Sequence, residues 1–217
     1  MKPEMTLLEQ KEGVATLSLN RASKRNALSR ALRAEIVSRL RALEENDGVS
    51  AVVLTGKGEV FCAGFDRSEF GEEGMTEIFS ESLDYHRQIY TFPKPIIAAV
   101  NGPALGGGCD LAAMCDIRIA STTALFGQPQ VRFGAAAAYE LMREVMSEGG
   151  AREMCLSGRL YGVQEAREMG FVNSVHEPAD LIRQAEDLAA TISKLPQPMP
   201  WNTKQQFLAC QPDLFQP

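Results

Sequence analysis

Two glycine turns, each fed by an apolar strand-like run, constrain this chain more than any other feature. The first is Phe61-Cys62-Ala63-Gly64-Phe65-Asp66; the second is Asn101-Gly102-Pro103-Ala104-Leu105-Gly106-Gly107-Gly108-Cys109-Asp110. Ahead of them lie residues 49–54 and 96–100, both nearly continuous apolar runs. Such runs suit strands covered on both faces, as in a parallel sheet. Glycine lets backbone approach backbone, or a ligand, where a side chain would intervene. Two turns of this kind can aim two backbone N–H groups at one oxygen.

The rest of the chain supplies the helices that such a sheet requires. Residues 5–20 read as a hairpin around the polar turn Gln10-Lys11-Glu12-Gly13. Ser29 is placed to cap a helix carrying Leu32, Ile36, Val37, Leu40 and Leu43 on one face. A second helix spans roughly residues 76–91 and stops at Pro93 and Pro95, after a glycine-containing acidic loop over Gly71–Gly74 that reads as mobile. A short helix carries Asp110, Leu111 and Met114, and residues 116–120 form another strand. Helices are expected over 139–146, 151–156, 163–169 and 178–194, with a short strand over 171–175. Strands alternating with helices give α/β architecture with right-handed crossovers. Residues 1–195 read as one core. Residues 196–217 form a short C-terminal extension, docked on the core or on a neighbouring subunit. It begins with a stiff, extended proline connector, 195–200, and continues as a helix over 201–210.

Composition narrows the function. The net charge of −6 argues against a general nucleic-acid surface. No apolar run approaches the roughly 20 residues needed to span a bilayer, and the first residues contain no apolar signal core. A cytoplasmic protein without a membrane or nucleic-acid partner is the expectation. Five cysteines with no C-x-x-C pair, beside only two histidines, give no zinc pattern and no expected metal site. Most of these cysteines read as small buried residues.

The ordered motifs resemble the crotonase superfamily, also called the enoyl-CoA hydratase/isomerase family. They are Asn20-Arg21 with Lys24-Arg25-Asn26-Ala27-Leu28, the Ala63-Gly64-Phe65-Asp66 turn, Pro93-Lys94-Pro95, and the second glycine turn with Asp110. Met114-Cys115-Asp116-Ile117-Arg118-Ile119-Ala120, Phe126-Gly127-Gln128-Pro129, Leu156-Ser157-Gly158-Arg159 and Ala166…Gly170-Phe171-Val172 follow. The resemblance covers most of residues 5–195. It implies a crotonase-like superhelix of β-β-α repeats with a helical C-terminal region, assembled as a homotrimer or dimer of trimers. It also implies an acyl-CoA thioester as substrate, with coenzyme A part of that substrate and no separate cofactor.

The chemistry implied is stabilisation of a thioester enolate by two preorganised donors. By resemblance these are the backbone N–H groups of Phe65 and Gly107. Lys24 and Arg25 are candidates for the CoA phosphates, and Ala27 and Ala63 for backbone contacts to adenine. Asp66 is a candidate pocket group. Lys204 is a further candidate, because in this family a neighbouring subunit's C-terminal lysine can reach CoA.

The catalytic positions depart from the family pattern. A hydratase of this family uses two glutamates around the reacting double bond. Here the first position is Asp110, about one helical turn beyond Gly107 and therefore on the same face. The second is Gln130, whose amide cannot exchange a proton near neutral pH but can hydrogen-bond a water or carbonyl. His86, on the helix before Pro93, is a candidate replacement base, since an imidazole titrates near neutrality. The readings left open are hydration or dehydration by one carboxylate, decarboxylation, thioester hydrolysis, and, as a lyase/isomerase family member, isomerisation. The alternative is a catalytically weak CoA-ester-binding protein or a structural subunit of an acyl-CoA complex.

Overall fold

The computed structural model describes residues 4–70, 75–212 and 214. The acidic loop expected over Gly71–Gly74 lies outside them. Six strands form the main sheet, in the order β1 (Thr6–Lys11), β2 (Val14–Leu19), β3 (Ala51–Gly56), β4 (Ile96–Val100), β6 (Ile117–Ser121) and β9 (Ser174–His176). The β1–β2 hairpin is antiparallel and every later neighbour is parallel. A second sheet joins β5 (Ala104–Leu105), β7 (Leu125–Gly127) and β8 (Leu160–Gly162).

The continuous apolar runs are explained by burial on both faces of the main sheet. Val52, Leu54, Ile96, Ala98 and Val100 point into the larger core, which also takes Leu32, Ile36, Leu40 and Leu43 of α1 (Arg30–Glu44). Ala51, Val53, Ile97 and Ala99 point the other way, onto Leu181, Ala185 and Ala189 of α7 (Leu181–Ser193). Successive strand residues alternate between faces, so a strand with a core on each side is apolar at nearly every position, and the buried Thr55 of β3 is accommodated because its hydroxyl donates to the Ala99 carbonyl at 2.8 Å. The hydroxyl of Ser29 accepts the Leu32 N–H at 3.2 Å and caps α1.

The β-β-α repeat is visible in the chain order. Strand β4 steps through β5 into α3 (Gly107–Ala113), and β6 steps through β7 into a 3-10 helix over Pro129–Phe133. Strand β3 steps through Cys62, which bridges Ala104, toward α2 (Met75–Tyr90). The repeat thus places the three segments after β3, β4 and β6 side by side. Helices α4 (Tyr139–Val145), α5 (Glu148–Ser157) and α6 (Val163–Glu168) follow.

Two local expectations are corrected. The strand expected at 171–175 starts only at Ser174. Phe171 is instead held in the turn after α6, where its N–H reaches the Ala166 carbonyl and its ring packs on Phe126. The proline segment at 195–200 is a turn rather than an extended connector, because the Met199 N–H closes on the Pro196 carbonyl at 3.0 Å. The two- and three-residue strands β5, β7 and β8 are too short to leave a period-two pattern in the sequence. The last helix, α8 (Met199–Cys210), packs through Trp201, whose indole N–H donates to the Ser50 carbonyl at 3.3 Å. No described helix is long and apolar enough to cross a membrane.

Candidate active site

The first glycine turn is woven between two other segments. Ala63 N–H donates to the Arg25 carbonyl and Leu28 N–H to the Gly64 carbonyl, at 3.0 and 2.8 Å. On its other side Cys62 N–H donates to Pro103 and Leu105 N–H returns to Cys62, at 3.2 and 3.0 Å. Gly64 has φ of 91°, in the left-handed region that favours glycine. A Cβ built there would lie 2.7 Å from the Leu105 carbonyl oxygen and 3.4 Å from the Gly107 nitrogen. The two turns therefore meet at residues 64–65 and 107. As the first residue of α3, Gly107 has an N–H with no intrahelical partner. The Phe65 ring lies against Gly107, and the Arg33 guanidinium sits 5.2 Å from its centre. Arg33 also donates to the Leu28 carbonyl at 3.2 Å, fixing Phe65 from behind.

Asp110 sits on α3, buried, with its Oδ1 accepting from Gln128 Nε2 at 2.8 Å. The Oε1 of Gln128 in turn accepts from Gln130 Nε2 at 2.6 Å. Gln130 is also buried, and its own Oε1 has no partner among the described residues. Burial pushes the Asp110 carboxyl up from the ordinary 3.8 to about 7, against a smaller opposing effect of the Gln128 hydrogen bond. Thus Asp110 and Gln130, twenty residues apart in sequence, belong to one hydrogen-bonded chain. Gln128 is the link, and the sequence reading missed it as a site residue. No periodicity signals it: Gln128 precedes and Gln130 lies within the 3-10 helix over Pro129–Phe133, where positions three apart, not two, share a side.

His86 is close by but does not meet the expectation of an imidazole titrating near neutrality. It packs edge-on to Phe65 at 6.1 Å and against Tyr85 at 5.3 Å. Burial, with a smaller contribution from the charge on Arg33, pushes it down to about 4. It is a neutral ring at pH 7. Burial likewise pushes the Cys62 thiol up to about 12 and raises that of Cys109, so neither is a thiolate at neutrality.

A cleft of about 270 Å³ opens beside the first turn, lined by Lys24, Arg25, Ala27, Ala63, Phe65 and Asp66, and also by Ser23 and Arg67. The sequence candidates for CoA contact, other than Lys204, come together here. Lys24 and Arg25 are exposed. Asp66 is committed to local structure: its carboxylate accepts from Arg21 Nη1 at 2.6 Å and from Ser68 Oγ at 2.7 Å. Burial raises its pKa, but these hydrogen bonds prevail and hold it below the usual carboxylate range. Arg21 also reaches the Ala27 carbonyl at 2.9 Å, so it ties both sides of the cleft. The unanticipated Arg67 lies 5.3 Å over the exposed Phe133 ring.

Lys204 is elsewhere. Its ammonium is buried, 2.8 Å from Asp116 Oδ2 and 3.2 Å from the Lys94 carbonyl. Asp116 also accepts the Ile96 N–H at 2.7 Å. This side chain fastens α8 to its own core, which corrects its candidacy for reaching CoA on a neighbour.

Comparison with known proteins shows the family. The family model described as enoyl-CoA hydratase/isomerase matches residues 9–208. A putative enoyl-CoA hydratase of Thermus thermophilus is 37% identical over 194 residues, covering 85% of this chain and 76% of its own length. The 2,3-dehydroadipyl-CoA hydratase of Escherichia coli is 35% identical over 194 residues, covering 87% and 75%. The solved structure of an enoyl-CoA hydratase from Bacillus anthracis superposes with a TM-score of 0.90 at 30% identity, covering 94% of this chain and 83% of that one. With its parallel sheet, its paired glycine turns and a family match across nearly its whole length, this chain belongs to the enoyl-CoA hydratase/isomerase family.

Proposed function

We propose that this enzyme acts on an acyl-CoA thioester through an enolate held by the backbone N–H groups of Phe65 and Gly107, with Asp110 as its one proton-transferring carboxylate. The carrying observation is the Asp110–Gln128–Gln130 chain, which starts one helical turn beyond Gly107 and contains a single titratable group. As a base, Asp110 takes a proton from the carbon next to the thioester carbonyl. The C–H electron pair moves into the enolate, and the negative charge settles on the thioester oxygen. As an acid, Asp110 returns the proton to carbon. A pKa near the working pH suits both directions. Gln130 orients a water or polar group and transfers no proton.

The test is exchange of the α-protons of butyryl-CoA in deuterated water, followed by mass spectrometry. Exchange needs only the oxyanion donors and one base, whatever the natural acyl group. Deuterium uptake above background is expected. Tight binding of CoA esters with no uptake over a broad thioester panel would instead favour a CoA-ester-binding or structural subunit.

We assign the CoA phosphates to Lys24 and Arg25, because both are exposed on the cleft beside the first turn. The double substitution Lys24→Glu and Arg25→Glu should weaken acyl-CoA binding by roughly tenfold or more, since each exposed charge contact contributes up to about 1 kcal/mol and its reversal adds repulsion. Calorimetry with acyl-CoA and the matching free acid checks this. Equal affinity of wild type for the two would contradict thioester recognition.

We further propose a homotrimer or pair of trimers. Phe133 and Leu156 are 68% and 82% exposed, large apolar side chains that an interface would cover. Trp201, by contrast, is engaged within its own chain. Light scattering at micromolar concentration should give three or six chain masses, and a strict monomer would refute the assembly.

A further inference from the structure

Beside the paired turns lies a buried charge that the proposed proton transfers do not use. Arg33, on α1, is 5% exposed. Burial lowers its pKa, but a guanidinium keeps its proton at neutrality. A buried cation is costly unless it is paired and hydrogen-bonded. Replacing a buried ion pair by a hydrophobic side chain of similar volume is often neutral or stabilising, so stability gives little reason for a charge here. What an apolar side chain could not do is hold three segments by polar contacts at once. Arg33 Nη1 donates to the Leu28 carbonyl at 3.2 Å, and the guanidinium carbon lies 5.2 Å from the centre of the Phe65 ring. Nη2 lies 3.7 Å from Glu81 Oε2 on α2. Glu81 is itself gripped by Arg30, whose Nε and Nη2 donate to it at 2.8 and 3.0 Å.

These contacts bear on the direction of the Phe65 N–H. Leu28 and Phe65 form an isolated parallel bridge. The Leu28 N–H donates to the Gly64 carbonyl at 2.8 Å, and the Leu28 carbonyl accepts from the Asp66 N–H at 3.3 Å. Successive residues of extended backbone turn their N–H groups to opposite sides, so that of Phe65 is directed away from Leu28. The Leu28 carbonyl thus takes two donors, one from the turn and one from Arg33. The Phe65 ring also lies against Gly107, where an added Cβ would come within 2.9 Å of it. We infer that Arg33 is a positioning residue for the proposed reaction: gripping the Phe65 ring and the Leu28 carbonyl together, it aims the Phe65 N–H at the thioester oxygen, while Glu81 holds its outer end from α2. The inference deepens the reading of Phe65 and Gly107 as oxyanion donors and rests on it.

The test uses Arg33→Met, which keeps a long unbranched side chain to pack on Phe65 and removes the charge and the donor. Two quantities are measured with butyryl-CoA isotope-labelled at the thioester carbonyl: the rate of α-proton exchange in deuterated water, and the infrared stretch of the bound carbonyl. Donors aimed at that oxygen weaken the C=O bond, so wild type should lower the frequency below that of the free ligand. In Arg33→Met exchange should slow by about tenfold to 10²-fold, the scale of a misplaced donor. Roughly half of the frequency shift should be lost, since one donor of two is affected. Affinity should change by less than about threefold, because the donors grip the oxygen most strongly once charge has developed. Phe65→Leu keeps the backbone N–H and removes the ring, so Arg33→Met should cost less exchange in that background than in wild type. If Arg33→Met does not fold, Arg33→Lys takes its place. Lysine keeps the charge but lacks the planar fork, so exchange should still slow several-fold and part of the shift should be lost. A wild-type exchange rate or an unmoved carbonyl frequency in the folded variant would overturn the inference, as would an equal cost with and without the ring, since a packing defect gives those results. Absence of exchange or of a lowered frequency in wild type itself would sink the reading of the donors beneath it.

Discussion

Asp110→Asn is expected to lower turnover on the enzyme's CoA-thioester substrate by about 10²-fold or more, the lower end of what general acid–base catalysis supplies. Asparagine keeps the size of the side chain and an oxygen to accept from Gln128, so the change removes the proton site and little else. The same substitution should abolish α-exchange of butyryl-CoA. Full activity in a folded variant would remove Asp110 from the mechanism. Wild-type kcat/KM should rise with pH through about 7, as the carboxylate forms. The stability consequence has the opposite sign from that of a salt-bridged carboxylate. Burial raises the folded-state pKa above the ordinary 3.8, so the native state holds a proton that the unfolded chain has lost. Stability therefore falls as pH rises from about 4 to about 7. Asp110→Asn should relieve this burden at pH 8 and not at pH 4. The variant is thus expected to melt higher than wild type at pH 8 while working far more slowly. An equal melting temperature for the two at pH 8 would show that the carboxylate is not strained by burial.

How much of this was legible in the sequence differs by level. The runs at 49–54 and 96–100 announced a doubly covered sheet because alternate residues on both faces are apolar, and the structure gives each face its own core. The glycine turns were legible because a turn that must approach other backbone tolerates few residues. The short strands were not, because two or three residues carry no period. Lys204 was misread because a sequence cannot say whether a lysine reaches outward or turns onto Asp116. His86 was misjudged because its pKa depends on its burial, to which Phe65 contributes, and on Arg33, both residues distant along the chain. Gln128 was overlooked for a related reason. An amide between two candidate residues becomes informative only when its two ends are seen bonded to both.

The largest structural effect is expected from the smallest substitution, Gly108→Ala. Position 108 is the second residue of α3, where alanine is ordinarily the better helix former. Its Cβ, however, would lie 2.1 Å from the Cys62 carbonyl oxygen and 2.8 Å from its carbon. Both are backbone atoms and cannot rotate aside. Cys62 is pinned by hydrogen bonds with Pro103 and Leu105 and by its thiol donating to the Asn26 carbonyl at 3.2 Å. The helix must move away from the first turn or the turn away from the helix. Either motion breaks the junction that brings Phe65 beside Gly107. A destabilisation of about 3 kcal/mol or more follows, at or above the usual range for overpacking a core. For a chain of this size that lowers the melting temperature by roughly 10 °C. Turnover in whatever remains folded should fall by about 10²-fold, because displacement of a catalytic donor by about 1 Å has that scale. Gly149→Ala provides the control. Gly149 is exposed in α5 and a Cβ there meets nothing within 4 Å, so alanine should stabilise by about 0.5–1 kcal/mol. Calorimetric melting of the two variants decides the matter. If Gly108→Ala melts within about 2 °C of wild type, less than 1 kcal/mol separates them, and the contact between the glycine turns is not what holds the proposed oxyanion donors in place.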